Sequence, residues 1–324
     1  MTEPAENLPR IGVDRAAEII RRGGVVAVPT ETVYGLAADA TSEPAVRRVF
    51  ETKRRPASNP LIVHVTGAAM AIEHADWLPI ATLLADRFWP GPLTLVLPKL
   101  SSIHDLATAG GPTVAVRAPD HPVARELIEA AGVPLVAPSA NPSGSTSPTA
   151  ARHVIDAFEG AVPVVDAGPC ERGIESTVLD LTSETPTVLR PGAVPRSELA
   201  EALARDVPLA EGASARSPGQ HSRHYAPRAP VHLFPPGDWP DAIARVHASR
   251  PGKLALITHD VHRFAPPPHV TFFLGPEPDA YARDLYAALY SADVQRVAGI
   301  LVEDVPEGVA WEAIRDRLAR AVAV

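Results

Sequence analysis

The chain has 324 residues, 46% of them hydrophobic and 21% charged, which is enough apolar content and length for two domains with their own cores. A net charge of −8 argues against a dominant nucleic-acid-binding surface, and a single cysteine excludes an internal disulfide. No apolar run approaches the roughly 18 residues of a membrane span, and Met1 to Arg10 has no apolar signal core, so a cytoplasmic protein is expected.

Residues 13–22 read as an amphipathic helix closed by Gly23-Gly24, followed by a short apolar strand, 25–28, that Pro29 stops. The segment Pro29-Thr-Glu-Thr-Val-Tyr-Gly35 then places Thr30, Glu31, Thr32 and Tyr34 at a strand end. Strand ends are where α/β sheets hold ligands, although a polar turn with Tyr34 as a wedge has the same pattern. Residues 43–53 predict a helix with Val46, Val49 and Phe50 on one face. It ends in Lys53-Arg54-Arg55, beside Pro56 and Asn59-Pro60. These cations suit either the helix dipole or phosphate, and Lys53 is one of only three lysines among 30 basic residues.

Strand 61–65 carries His64, either a core histidine or a small-ligand contact. Helix 80–88 and strand 93–97 follow, then strand 113–117, which closes on Arg117. A guanidinium there needs a carboxylate or phosphate, and Asp120 is the nearest structural candidate. Helix 122–131 and strand 133–137 lead into Ser139-Ala-Asn-Pro-Ser-Gly-Ser-Thr-Ser-Pro-Thr149, a hydroxyl- and amide-rich loop before helix 150–158. With Ser147 as cap and Pro148 at the first helical position, that helix start is either an anion site or an ordinary capped loop.

Strands at 162–166, 176–181 and 187–190 complete the first pattern. Several connections are too short for crossover helices, so the sheet is expected to be mixed. Residues 197–216 begin as a short helix and become a linker. A second unit then alternates strand 230–234, helix 238–249, strands 253–258 and 270–274, helix 278–291, strand 299–303 and helix 308–323, a small Rossmann-like pattern without a phosphate-loop motif. The expected domains are 12–198 and 230–324, joined by 199–229. His221 and His224 lack zinc-site partners, and Cys170 reads as a passive thiol. The candidate residues are cations, hydroxyls and amides without an evident nucleophile. That set suits alignment of a nucleoside triphosphate with a small polar acceptor.

The motifs PTETVYGL (29–36), KRRPASNPLIVHV (53–65), WPGPLTLVL (89–97), TVAVRAPDHP (113–122), VAPSANPSGSTSPT (136–149), GIESTVLDL (173–181) and VLRPG (188–192) resemble the YrdC-like family, in that family's order, over about 12–196. Ser217 to Pro227 and 230–324 are similar to the linker and small C-terminal domain of its long form. The resemblance implies a twisted mixed α/β sheet with flanking helices and a central cleft, plus a small Rossmann-like α/β domain. It implies a nucleotidyltransferase that turns L-threonine, bicarbonate or CO2, and ATP into threonylcarbamoyl-AMP and pyrophosphate. The product would feed tRNA threonylcarbamoyladenosine formation by a downstream transferase, with direct tRNA binding absent or weak.

Carried over by motif position, L-threonine falls to Thr32, His64, Arg117, Ala137 and Thr177, with Arg117 on the carboxylate. ATP falls to Lys53, Arg55, Asn59, Thr113, Ser139, Ser147 and Arg190, with Tyr225 as part of a lid. Lys53 and Arg55 would offset charge during the reaction. Magnesium is implied through the phosphates, with no protein ligands. One rival is a double-stranded RNA-binding module. Another is a carbamoyl transferase of the hydrogenase-maturation kind, whose cysteine clusters this chain lacks.

Overall fold

The computed structural model describes residues 10–212 and 225–322, in two compact units. The second unit comprises 225–322 together with Gly144–Thr146 and Arg172–Ile174; the other described residues form the first.

In chain order the first unit contains α1 (Val13–Arg21), β1 (Val26–Val28), β2 (Gly35–Asp39), α2 (Glu43–Lys53), β3 (Ile62–His64), α3 (Ala68–Ala71), α4 (Pro79–Phe88), β4 (Leu93–Pro98), β5 (Thr113–Arg117), α5 (Pro122–Ala131), β6 (Leu135–Val136), α6 (Ala151–Ala157), β7 (Thr177–Asp180), β8 (Thr187–Arg190) and α7 (Arg196–Leu203). The eight strands form one sheet in the order β1-β2-β6-β3-β5-β4-β7-β8. Only the β3–β5 and β4–β7 pairs are parallel, so the sheet is mixed, as the short connections require.

Alternation along the strands sorts the two faces. Val63, Leu95, Val116 and Leu179 join Val46, Val49 and Phe50 of α2, Leu84 of α4, Val154 of α6 and Leu199 of α7 in the main core. On the opposite face, Ala16, Ala17 and Ile20 of α1 and Leu127 and Ile128 of α5 cover the β1-β2-β6 end. Further along that face, the buried cluster Ile62, Val96, Ala115, Val178 and Leu189 contains strand residues only. That helix-free stretch is where polar side chains from several strands gather.

Several expectations are corrected. Residues 35–39 are a strand that the sequence hides, because Gly-Leu-Ala-Ala-Asp has little β propensity; pairing with β1 and β6 imposes it. Residues 162–166 form no named strand. Val164 only bridges Arg10 and Ala27, and Pro163 has no N–H to extend a ladder. The strand expected over 133–137 shrinks to β6. Helix α3 and a 3-10 turn at Asp105–Thr108 were not anticipated. After α7 the chain stays with the first unit, with Val207 buried and Leu209 bridging Val188.

The second unit holds β9 (Val231–Phe234), α8 (Trp239–Ser249), β10 (Leu254–Thr258), β11 (Val270–Phe273), α9 (Pro278–Val294), β12 (Gly299–Glu303) and α10 (Glu312–Val322). Its four strands are all parallel, in the order β11-β10-β12-β9. Near their carboxyl ends the fully buried Glu303 accepts from Thr258 Oγ1 and forms an ion pair with Arg263 at 2.9 Å.

Candidate functional site

The register of the helix-free face builds a transverse row. His64 pairs with Arg117, and Val178 pairs with both Thr94 and Arg190. Leu95 pairs with Val116, so the next step sets Thr94 beside Arg117. Arg117 and Arg190 thus share one face although 73 positions separate them in the chain.

The turn between β1 and β2 supplies the partners of Arg117. Thr30 Oγ1 accepts the N–H groups of Thr32 and Val33, each at 3.2 Å, and donates to the Val33 carbonyl at 2.7 Å. This hydroxyl-locked turn fixes Glu31 and Thr32. Arg117 donates from Nη2 to Glu31 Oε1 at 2.5 Å, from Nη1 to Thr32 Oγ1 at 3.0 Å, and from Nε to the Gly91 carbonyl at 3.2 Å. The carboxylate partner is therefore Glu31 and not Asp120. A guanidinium carries five N–H groups, and one on each terminal nitrogen has no partner among the described residues.

His64 lies beside Arg117 and is buried, with Nδ1 3.3 Å from the Ile62 carbonyl. Burial, and then the charge of Arg117, pushes its pKa down to about 3, so it is a neutral hydrogen-bonding group. Ala137 N–H donates to the same Ile62 carbonyl at 3.3 Å. A Cβ on Gly35 would stand 3.0 Å from the Ala137 Cβ, so glycine permits this close approach. Thr177 does not offer its hydroxyl to this row: Oγ1 donates to the Val194 carbonyl at 2.6 Å and accepts Val194 N–H at 3.0 Å.

The remaining candidates form three adjoining groups. Lys53, fully buried at the end of α2, turns its ammonium to the carbonyls of Ser139 and Asn141. No carboxylate pairs with it among the described residues; burial, then the charge of Arg55, holds its pKa well below the usual lysine range. Ser139 is tied to Gly35 by a bridge, which joins this group to the β1–β2 turn. Arg55 donates to the carbonyls of Asn59 and Pro60 at 3.2 and 2.9 Å. Asn59 Nδ2 is buried with no partner. Beside them a cavity of about 360 Å³ is lined by Ser58, Pro60, Leu61, Thr108 and Thr113, among others.

In the third group Ser147 Oγ donates to Glu175 Oε1 at 2.6 Å, while Arg190 Nη2 donates to the carbonyl and hydroxyl of Ser176 at 2.9 and 3.1 Å. Ser147 is thus not a helix cap. Helix α6 starts at Ala151 with Ala150 before it, because Tyr34 N–H pairs with the Pro148 carbonyl and holds 147–149 outside the helix. Tyr225 belongs to the second unit, where its buried ring stacks on Tyr286 at 5.7 Å and lies 5.0 Å beneath the Arg317 guanidinium. The linker residues 217–224, including His221 and His224, lie outside the described residues.

Sequence reading missed Glu31 as the partner of Arg117, Ser176 as that of Arg190, and Glu175 as the acceptor for Ser147. Two carboxylates within hydroxyl-rich strand-end motifs were the available signal, because a buried acid requires donors. Cys170 is buried and its thiol is pushed up to about 12 by that burial, in line with a passive role. Among the described residues no group of three or more metal-ligating side chains gathers, and no helix is long and apolar enough to cross a membrane.

Known proteins resemble this chain in sequence and fold. Residues 18–192 match a family model described as telomere recombination, and residues 194–323 match one described as threonylcarbamoyl-AMP synthase, C-terminal domain. The chain is 42% identical over 321 residues to the threonylcarbamoyl-AMP synthase of Pyrococcus abyssi, covering 94% of this chain and 92% of that one. Identity to the Bacillus subtilis threonylcarbamoyl-AMP synthase is 37% over 332 residues, covering 98% and 94%. The crystal structure of P. abyssi Sua5 complexed with L-threonine matches with a TM-score of 0.88 at 39% identity, over 96% of this chain and 94% of that one. E. coli YciO matches at 0.51 and 25% identity, over 56% and 89%. With both halves matched in sequence and fold, the chain belongs to the threonylcarbamoyl-AMP synthase family.

Proposed function

We propose that this chain joins L-threonine, bicarbonate or CO2, and ATP into threonylcarbamoyl-AMP with release of pyrophosphate. The observation that carries the reading is Arg117. It is a buried guanidinium at a strand end, with one N–H on each terminal nitrogen unpartnered among the described residues, beside a neutral histidine. That geometry suits bidentate capture of a carboxylate, with Thr32 and the Ala137 main chain lining the same spot. The Thr177 hydroxyl has no part in it, being committed to Val194.

Lys53, Arg55, Arg190, Asn59, Thr113, Ser139 and Ser147 supply charge and hydrogen bonds for a triphosphate and its nucleoside. The threonine carbamate oxygen attacks the α-phosphorus, and the bond to pyrophosphate breaks; the buried cations offset the charge on the leaving group. Glu31 and Glu175 each commit one carboxylate oxygen, Oε1, to Arg117 and Ser147. Magnesium in this reading arrives on ATP, held by phosphate oxygens and water. Tyr225 carries the lid role only as part of this proposal. A downstream tRNA threonylcarbamoyl transferase would consume the product, in the cytoplasm where ATP and tRNA occur. The site cations are at most 8% exposed, out of reach of duplex phosphates, which disfavours the RNA-binding rival.

Purified protein given ATP, bicarbonate and L-threonine is expected to release pyrophosphate in a threonine-dependent way. Release that is indifferent to threonine would overturn the reading. Arg117→Ala should weaken threonine binding far more than ATP binding; equal losses would refute the carboxylate assignment.

A further inference from the structure

We propose that Glu31 seats the α-ammonium of the amino acid, so that Arg117 and Glu31 together recognise a zwitterion. This rests on the reading that Arg117 takes the carboxylate. Glu31 is 4% exposed. Its Oε1 accepts from Arg117, but its Oε2 is buried with no hydrogen-bond partner. A buried carboxylate oxygen without a donor is costly, and proteins rarely leave one so. The neighbouring main-chain donors cannot serve it, since the N–H groups of Thr32 and Val33 are committed to Thr30 Oγ1. No described residue supplies the missing donor, and a bound ligand can.

Charge decides what kind of donor that is. Arg117 and Glu31 form a buried pair, with side chains 4% and 6% exposed, whose charges sum to zero. A simple carboxylic acid delivered to Arg117 would leave the group with a net buried negative charge, which is heavily penalised. An amino acid brings its own cation, and the group stays neutral. Its ammonium and carboxylate are joined through one carbon, as Glu31 Oε2 and the open N–H groups of Arg117 are joined through one salt bridge. His64 offers no negative charge for that role. The pair thus selects amino acids over hydroxy acids, apart from any selection by side chain.

Calorimetric binding of L-threonine and of 3-hydroxybutyrate, which keeps the hydroxyl and carboxylate but lacks the ammonium, tests this on wild type and Glu31→Gln. Wild type should prefer L-threonine by at least tenfold. Glu31→Gln, which keeps an oxygen for Arg117, should bring the two ligands to within about threefold, by weakening threonine while 3-hydroxybutyrate holds or tightens, since the Arg117 charge is then left for a lone carboxylate. Equal weakening of both ligands would mean that Glu31 only holds Arg117, and would overturn the proposal. So would a wild type that binds both ligands equally. A wild type that binds neither would instead defeat the carboxylate reading beneath it. Should Glu31→Gln fail to fold, Glu31→Asp, which keeps the charge but retracts it by one methylene, should weaken threonine alone.

Discussion

Lys53 and Ser139, 86 positions apart, meet through the buried ammonium, which donates to the Ser139 carbonyl. The same ammonium reaches the Asn141 carbonyl at 2.5 Å, and the Lys53 carbonyl accepts Ser143 N–H at 2.8 Å. One lysine thus anchors the first part of the serine-rich loop, residues 139–143, to the end of α2. Carbonyl dipoles do not neutralise a full charge, so the site favours an incoming anion.

Lys53→Met keeps the aliphatic length and removes the charge. A unit charge about 4 Å from a phosphate is worth about 4 kcal/mol at an effective dielectric of 20, so ATP affinity should fall by up to about 1,000-fold. Titration calorimetry with a non-hydrolysable ATP analogue measures this. Unchanged affinity with lowered thermal stability would make Lys53 a purely structural anchor.

Gly192 lies where the loop after β8 crosses the Glu175–Thr177 backbone. A Cβ there would stand 2.3 Å from the Ser176 carbonyl carbon and 2.4 Å from Thr177 N and the Glu175 oxygen. Main chain cannot rotate away as a side chain can, so Gly192→Ala must displace the segment that Arg190 grips. The expected cost is about 1–3 kcal/mol in denaturant unfolding, with weakened nucleotide binding. Wild-type values for both would show that the loop gives way freely.

His64 is buried and His153 partly buried, and both are neutral, their pKa values pushed down to about 3 and about 4 with desolvation the leading cause for each. In the unfolded chain a histidine titrates near 6.5. Between the two values the unfolded state binds more protons, so stability is full above about pH 6.5 and is lost as the pH falls toward 3 or 4. Each group contributes a slope of up to about 1.4 kcal/mol per pH unit in its window. His64→Gln should therefore flatten the decline in unfolding free energy between pH 6.5 and 4. An unchanged slope would contradict neutral burial.

Tyr225 sits between Tyr286 and Arg317 in the second unit, at a backbone φ of +62°. Truncating a buried aromatic costs about 3–5 kcal/mol, so Tyr225→Ala should lower the stability of that unit by this order. If the residue also retains nucleotide, Tyr225→Ala should weaken ATP binding and leave threonine binding intact. Unchanged ATP affinity alongside the lost stability would confine Tyr225 to packing.

What the primary structure determined alone was local. The helices at 43–53 and 122–131 and the strands at 113–117 and 187–190 stand at the positions their periodicity predicts, since side-chain alternation and Pro or Gly punctuation act over a few residues. The residue types of the site, cations among hydroxyls, were also visible in the chain order. Which partner each cation takes was decided only in three dimensions. Arg117 has Asp120 three positions away yet bonds Glu31, because the β3–β5 register and the Thr30-locked turn bring that carboxylate across the sheet. Ser147 has the sequence of a helix cap yet serves Glu175. Strand β2, with little propensity of its own, exists because two neighbours offer it unpaired backbone groups. A buried charge or an open ladder must find its complement wherever the fold puts one, and that distance is not written in the spacing of residues.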